Sequence, residues 1–377
     1  MIICFKCSIV SKAALDGLVG SGAYRDYAEA INVAIVNLEA VHREVGSDEA
    51  VVLNETALAS ERAAQGPKRI SPSQSVLRDV GNTTRGSLIG QENIQLLRRP
   101  ESVEGIAASA LPGDVWGPGS DVPPDRWVFG QFNRMLPAKV SCRGLANLLI
   151  GNRKALDVED AGRLISHVAL HMGELLRRYD EETGTDRDNS LGVAFPKAGD
   201  TLPKSLLRYA TQFVCSVSSS GQLSGLPYAL KFLNTAGVRG QMVGLTEPGL
   251  AFAQMWNPVL DGAEDTWKKR FSDDEVIFLL EHIAQWVPAE ASAYLTLGRL
   301  VLEGFNAPSA IDGALTEIVR KSTSSPPSES FVSSQRSGAI SRMTDLGLIT
   351  RIREGATVQY EVTDAGRRYI ERLGTAN

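Results

Sequence analysis

Residues 340–349, ISRMTDLGLI, and residues 360–366, YEVTDAG, decide the fold of the C-terminal part of this chain. Apolar residues at helical spacing precede Gly347, and an alternating pattern follows it. A glycine at the end of a helix supplies the left-handed backbone that stops it. The pattern predicts these elements: a helix over residues 332–346, a strand over 348–353, a turn at 354–356, a strand over 358–362 and a helix over 363–373.

This order of elements resembles prokaryotic winged helix-turn-helix regulators, with the hairpin as the wing. The inward positions expected on the first helix are Ala339, Ile340, Met343 and Leu346. The polar and basic positions expected to face solvent are Gln335, Arg336, Ser337, Ser341 and Arg342. The resemblance implies that this helix lies in the major groove, where Arg can bridge guanine and Gln can bridge adenine. The expected DNA-binding residues are those five, together with Arg353 of the hairpin.

The C-terminal block has a second possible function, because its charge and its expected fold do not require DNA binding. Residues 334–377 contain seven Arg and five acidic residues, a small positive surplus in a chain whose net charge is −5. The alternative is that the polar face belongs to a module that contacts proteins, because a fold does not determine a function.

The middle of the chain repeats part of this pattern. Thr-Glu-Pro-Gly at residues 246–249 matches Thr-Asp-Ala-Gly at residues 363–366, and each motif stands between a predicted strand and a predicted helix. We therefore expect two copies of one module. Residues 226–236 are expected to be helical, with residues 226–233 in the place of the recognition helix. Two cations are expected on the exposed surface there, which favours scaffolding or dimerisation.

The N-terminus is predicted to contain one strand and two helices, over residues 2–8, 9–19 and 26–45. With residues 18–35, LVGSGAYRDYAEAINVAI, this order resembles the ribbon-helix-helix family. The resemblance implies that two chains pair their strands into a ribbon that enters the major groove. Lys6 and Ser8 are then expected to face DNA, and residues 1–46 are expected to hold a homodimer. The alternative is a dimerisation arm that does not contact DNA.

The rest of the sequence predicts how the chain is divided into domains. The fold class expected for the whole chain is mainly α with small β-wings. Residues 47–125 are small and polar, with many Gly and Pro, and lack a periodic apolar stripe, so a largely disordered linker is expected, with a short helix near residues 103–110. Four segments are predicted: the arm over residues 1–46, the linker over 47–125, a helical domain over 126–262 that ends in a winged-helix-like module, and a helical domain over 263–377 that ends in the C-terminal winged helix.

Composition limits the function classes. The 39 Lys and Arg against 44 Asp and Glu exclude a protein that coats nucleic acid through bulk charge. Four scattered Cys indicate a reducing compartment. No apolar run reaches about 18 residues, so no membrane contact is expected and a cytoplasmic location is predicted.

Enzymatic sites are expected to be absent, and no cofactor or metal is predicted. Cys4 and Cys7 have the spacing of a zinc pair, but residues three apart on a strand face opposite ways, and no second pair completes the ligand set. His167, His171 and Glu174 share a helix face and could converge on a metal, although structural histidines are favoured. The glycine patterns of nucleotide-binding loops and of nucleophile elbows do not occur.

The sequence therefore predicts a non-enzymatic, sequence-specific transcriptional regulator that binds double-stranded DNA as a homodimer. The alternative is a non-enzymatic adaptor of a plasmid, virus or defence system whose winged helices hold protein partners. A metal-dependent hydrolase that uses His167 and His171 is a distant third.

Overall fold

The computed structural model describes residues 95–151, 155–218, 221–236, 241–322, 328–355 and 357–375, all within one structural unit, Asn82–Asn377. This part of the chain is mainly helical with small antiparallel sheets, in agreement with the predicted fold class. The predicted arm, with Lys6 and Ser8, and the linker as far as residue 94 lie outside the described residues.

Helices account for most of the described chain. They are α1 Leu136–Leu149, α2 Val158–Glu182, α3 Leu202–Tyr209, α4 Leu226–Ala229, α5 Glu247–Gln254, α6 Pro258–Asp261, α7 Asp273–Trp286, α8 Pro288–Leu302, α9 Pro308–Ser322, α10 Glu329–Asp345 and α11 Asp364–Thr375. The strands are β1 Leu156–Asp157, β2 Ser216–Val217, β3 Leu223–Ser224, β4 Leu233–Thr235, β5 Met242–Leu245, β6 Ile349–Glu354 and β7 Thr357–Val362. One sheet has the order β1-β5-β4, and the pairs β2-β3 and β6-β7 are hairpins.

The C-terminal module, residues 288–375, contains the elements that the sequence predicts. α10 begins after Ser328, whose hydroxyl accepts a hydrogen bond from the Phe331 N–H. It ends before Gly347, which has φ 71° and so adopts the left-handed conformation that glycine tolerates best. Six residues of β6 then pair with six of β7. The predicted helices and strands of this block are confirmed to within three residues at each end.

The two repeated motifs form the same local structure. The Thr246 hydroxyl accepts a hydrogen bond from the Gly249 N–H at 3.3 Å, and the Thr363 hydroxyl accepts one from the Gly366 N–H at 3.0 Å. A Cβ on either glycine would lie 1.9 or 2.1 Å from a backbone carbonyl oxygen, so a larger residue does not fit. The repeated sequence therefore corresponds to a repeated strand-to-helix connection.

The middle module, residues 136–254, departs from the prediction at residues 226–236. Only its first turn, Leu226–Ala229, is helical, and β4 begins at Leu233, so the predicted helix is wrong beyond that turn. Lys231 ends the helix with φ 59°, where the C-terminal module uses Gly347. A non-glycine residue in this conformation is unfavourable by about 1–2 kcal/mol, and no glycine marks the break in the sequence.

Residues 95–135 pack on the rest of the described chain and do not form a free linker. Three of their buried apolar side chains belong to Leu97, Ile106 and Val122. The prediction of a largely disordered linker is therefore wrong for residues 95–125. The short helix expected at residues 103–110 is absent from this described stretch. Gly and Pro here belong to an extended chain that turns over the surface, and turn residues suit that role as well as they suit disorder.

One continuous apolar core joins the two modules. Two ion pairs with buried cations fix α1 against α6 and α7: Lys139 with Glu275 at 2.7 Å, and Arg143 with Asp261 at 2.5 Å. Burial lowers the pKa of Lys139 to about 8, although the Glu275 carboxylate opposes this shift. A charge left alone in such a place would be strongly destabilising, so the pairs keep these helices together. None of the helices in the described ranges is long and apolar enough to span a membrane.

Candidate nucleic-acid interface

α10 carries five of the predicted DNA-binding residues, and three of them are buried. The exposed fractions are 2% for Gln335, 8% for Arg336 and 0% for Arg342. The prediction that these three side chains face solvent is therefore wrong. Ser337 and Ser341 are half-buried on the same helix. The physical reason is that α10 is packed on more than one side, whereas the apolar stripe in its sequence indicates only one buried face.

The covering segment, residues 122–135, accounts for the second buried face. The Gly130 N–H donates to Gln335 Oε1 at 2.5 Å, and Gln335 Nε2 donates to the Pro124 carbonyl at 3.2 Å. A Cβ on Gly338 would lie 2.1 Å from the Gly130 carbonyl oxygen, so the two backbones are in direct contact. Glycine permits this approach because it lacks a side chain. The Gln335 amide is consequently engaged with the chain's own backbone.

Arg342 is fully buried and bound on both edges of its guanidinium group. Its Nε and Nη2 lie 2.5 and 2.8 Å from the two carboxylate oxygens of Glu290 on α8. Nη1 donates to the Phe132 carbonyl at 2.6 Å, and Nη2 donates to the Val128 carbonyl at 3.3 Å. Burial alone would lower the pKa of Arg342, but the Glu290 carboxylate raises it above its ordinary value. The guanidinium therefore stays charged and joins α10, α8 and the covering segment.

Arg336 is held in a second internal network. Its Nε and Nη2 lie 2.7 and 3.3 Å from the carboxylate oxygens of Asp312 on α9. Nη1 donates to the Tyr360 hydroxyl on β7 at 3.1 Å. The side chain thus connects α10 with the neighbouring helix and the hairpin, and it has no free edge for a base.

Arg353 is the predicted DNA-binding residue whose side chain is most exposed in the described chain, at 59%. Its Nη2 lies 2.6 Å from Asp188 Oδ2. Arg351, two residues earlier on the same face of β6, places Nη1 2.6 Å from Asp188 Oδ1. The hairpin therefore presents two guanidinium groups to one carboxylate.

These residues belong to a larger group, the hairpin arginine cluster. Its members are Arg134, Arg270, Arg351, Arg353, Asp188 and Asp345. Arg134 Nη1 and Arg270 Nε lie 3.0 and 3.3 Å from Asp345 Oδ1. The Asp186 carboxylate, on the same loop as Asp188, also interacts electrostatically with Arg353, so four cations face three carboxylates and the local positive surplus beside the hairpin is small. Guanidinium groups in such a surplus can bind the oxygens of a phosphate.

Sequence reasoning missed three of the four arginines. Arg351 and Arg353 alternate along a strand, so the pattern could have placed both on one face. Arg134 and Arg270 come from distant parts of the chain. No local signal brings them to the hairpin.

The residues considered and disfavoured as metal ligands in the sequence do not gather into a site within the described ranges. His171 Nδ1 lies 3.8 Å from Glu174 Oε2, and His167 is half-buried. Burial, followed by the charge of Arg163, lowers the pKa of His167 and favours its neutral form. Within the described ranges, no group of three or more His, Cys, Asp and Glu residues could hold a metal ion. Cys4 and Cys7 lie outside those ranges.

Comparisons of the chain with protein-family models, with curated proteins and with solved structures gave no match. The winged-helix and ribbon-helix-helix resemblances therefore stay predictions from the sequence pattern. The function is inferred from the contacts of α10 and the charges beside the hairpin.

Proposed function

We propose that the described part of the chain is a non-enzymatic adaptor built from two winged-helix modules, which holds protein partners and does not read DNA with α10. The observation that carries this proposal is the burial of Gln335, Arg336 and Arg342 against the chain's own residues. A recognition helix needs such side chains free to reach base edges. Here each of them is committed to an internal partner.

The surroundings of two hairpins, β4-β5 of the middle module and β6-β7 of the C-terminal module, support the assignment of one module present twice. In the middle module β1 pairs with β5, which pairs with β4. In the C-terminal module the Tyr360 N–H of β7 donates to the Asn306 carbonyl at 2.9 Å. Each hairpin is therefore flanked, beside its second strand, by a short segment from an earlier part of the same module.

Releasing α10 for DNA would be costly. The covering segment buries Trp127, Phe132 and Met135, which are 5%, 7% and 1% exposed. Exposing a large apolar side chain costs about 1.5–3 kcal/mol, so these three alone approach the whole stability of a typical domain, about 5–15 kcal/mol. The loss of the Arg342–Glu290 pair would add to this. We therefore expect α10 to stay covered by residues 122–135 whenever the protein is folded.

Hydrogen–deuterium exchange on the full chain tests whether α10 reads DNA. We expect the α10 amides to exchange among the slowest, and to keep their rates when duplex DNA is added, because the helix is covered on two faces. The more exposed helix α11 of the same module is the matched control and should exchange faster. Faster exchange in residues 122–135 together with new protection of α10 on adding duplex would overturn the proposal.

Cross-linking in the native cell tests the partner. Exposed lysines of this part of the chain, such as Lys204 and Lys268, should link reproducibly to a second protein. Cross-links confined to the chain itself, together with a DNA-dependent change in α10, would favour the regulator.

The second candidate is a duplex-DNA-binding regulator, and the hairpin arginine cluster is the observation that favours it. In this candidate the hairpin contacts the DNA backbone, and the sequence is read by the N-terminal arm through Lys6 and Ser8 of a dimer. Selection from a pool of random duplexes with the full chain tests it: a regulator enriches one motif, and Lys6→Ala should abolish that enrichment. No enrichment would leave the adaptor as the function.

A further inference from the structure

The hairpin arginine cluster holds a carboxylate in the way that arginines hold a phosphate. Arg351 and Arg353 each bind a different oxygen of Asp188, and both Nη–Oδ distances are 2.6 Å. Two guanidinium groups on the two oxygens of one anion form the charge-assisted arrangement that phosphate oxygens also accept. Here the anion that the two arginines bind is the Asp188 carboxylate of the same chain.

The loop that carries Asp188 is built to present it. This loop follows α2, and the N–H groups of Asp188 and Asn189 donate to Asp186 Oδ1 at 2.8 and 3.0 Å. Arg134 and Arg270 fix the loop from beneath, because they donate to the carbonyls of Asp188 and Asn189 at 2.6 and 2.7 Å. The carboxylate is therefore placed against the hairpin by contacts that do not involve β6.

Arg353, in contrast, is open to solvent. The side chain of Arg353 is 59% exposed, whereas those of Asp188 and Arg351 are 23% and 21% exposed, and those of Arg134 and Arg270 are 12% and 13% exposed. Arg351 lies over the Tyr360 ring at 5.6 Å from its centroid, which orients its guanidinium. An ion pair with one partner this exposed is weak, so a second anion can compete with Asp188 at Arg353 and reach Arg351 from there.

We propose that Arg351 and Arg353 form a binding site for a backbone phosphate of duplex DNA, and that Asp188 is an internal competitor that occupies the site when DNA is absent. This inference rests on the second candidate function, DNA contact through the hairpin. Removing the Asp188 charge should free both guanidinium groups for a phosphate. DNA affinity is therefore held down by one carboxylate of the middle module.

The test uses the full chain and a labelled random duplex of about 20 base pairs, with binding followed by fluorescence anisotropy from about 50 mM to 300 mM salt. Asp188→Asn should add about one phosphate contact, steepen the slope of log affinity against log salt by about 0.9, and tighten binding about tenfold at 50 mM salt. In the Asp188→Asn background, Arg353→Ala should weaken binding and flatten the slope by about one, which cancels the gain; in the wild type its effect should be smaller, because Asp188 already occupies the arginine.

Asp160→Asn is the matched control. Asp160 also pairs with an arginine, Arg163, at 2.8 Å, and its loss changes the net charge equally. It stands at the start of α2, roughly 33 Å along the helix from the loop that carries Asp188. A gain in affinity confined to Asp188→Asn supports the proposal, whereas an equal gain from both variants would mean a general charge effect and would overturn it.

The remaining outcomes separate the inference from the function on which it rests. Binding that Arg353→Ala weakens but Asp188→Asn leaves unchanged would overturn the internal competitor and keep DNA contact through the hairpin. No binding by the wild type or by Asp188→Asn, even at 50 mM salt, would overturn both. Displacement of the duplex by inorganic phosphate at constant ionic strength would show a site for free phosphate instead, and would also overturn the proposal.

Discussion

Replacing Arg342 with alanine should destabilise the protein severely. Arg342 and Glu290 are both 0% exposed, and the guanidinium binds both carboxylate oxygens, at 2.5 and 2.8 Å. Removing one partner of a buried ion pair costs about 3–5 kcal/mol, because the other charge is left buried and alone. The Phe132 carbonyl would also lose its donor. The sequence alone predicts an exposed side chain at this position and almost no effect on folding, so the two expectations differ by several kcal/mol.

Urea denaturation followed by far-UV circular dichroism measures this free energy of unfolding. Arg368→Ala is the matched control, since Arg368 is exposed on α11 of the same module, and its effect should stay within about 0.5 kcal/mol. The double variant Arg342→Met with Glu290→Gln removes both charges and should recover at least half of the loss, because no lone charge remains.

Two results would refute the structural argument for Arg342. A free energy of unfolding for Arg342→Ala within about 0.5 kcal/mol of wild type would mean that the side chain is exposed, and α10 would again be a candidate recognition helix. An equally large loss in the single and double variants would mean that packing, and not the buried charge, explains the effect.

Three further predictions concern stability. Gly338→Ala should destabilise the protein by about 1–3 kcal/mol or more, because the added Cβ would meet the covering segment. Gly313→Ala on α9 should instead stabilise it by up to about 1 kcal/mol, because Gly313 has open space around it. Thermal melts of both variants check this. Burial lowers the pKa of His282, although a hydrogen bond to a backbone carbonyl opposes this shift. The free energy of unfolding should therefore fall as pH drops below about 6.5, by no more than about 1.4 kcal/mol per pH unit from this group. In urea denaturation, the difference in this free energy between pH 7.5 and pH 5.5 should be smaller for His282→Gln than for the wild type. Asp114 lies 2.9 Å from the Lys231 ammonium group, so Lys231→Gly is tested in an Asp114→Asn background that already lacks this ion pair. There Lys231→Gly should raise the free energy of unfolding in urea by about 1 kcal/mol, because glycine adopts a backbone with φ 59° without strain. No gain would mean that the strain is absent.

The C-terminal module could be predicted from the sequence because its signals are local. The end of α10 is marked by Gly347, and the alternation that follows identifies both strands of the hairpin. The middle module lacks the first of these signals. Lys231 occupies the left-handed position there, so the helix at Leu226–Ala229 stops without a residue that announces it.

The burial of the predicted DNA-binding residues on α10 could not be predicted, because the contacts that bury them join residues far apart in the sequence. Gly130 and Gln335 are separated by 205 positions, and Arg342 and Phe132 by 210. A helical wheel identifies the face that packs on neighbouring elements of the same module. It contains no information about a second face that a distant segment covers, so the pattern predicts that the polar residues on that face are exposed.

One sequence feature does point to the covered face of α10. A glycine inside a helix is unfavourable by about 1 kcal/mol relative to alanine, so its presence suggests that another part of the structure needs the space. Gly338 on α10 meets the Gly130 backbone, and Gly298 on α8 meets Ile370, whose Cδ1 would lie 2.2 Å from an added Cβ. Gly313 on α9, in contrast, has nothing within 4 Å. A glycine in a helix therefore raises the expectation of a close contact without identifying the contacting element. For α10, that element is the covering segment of the same chain, which occupies the face that a recognition helix would turn towards DNA.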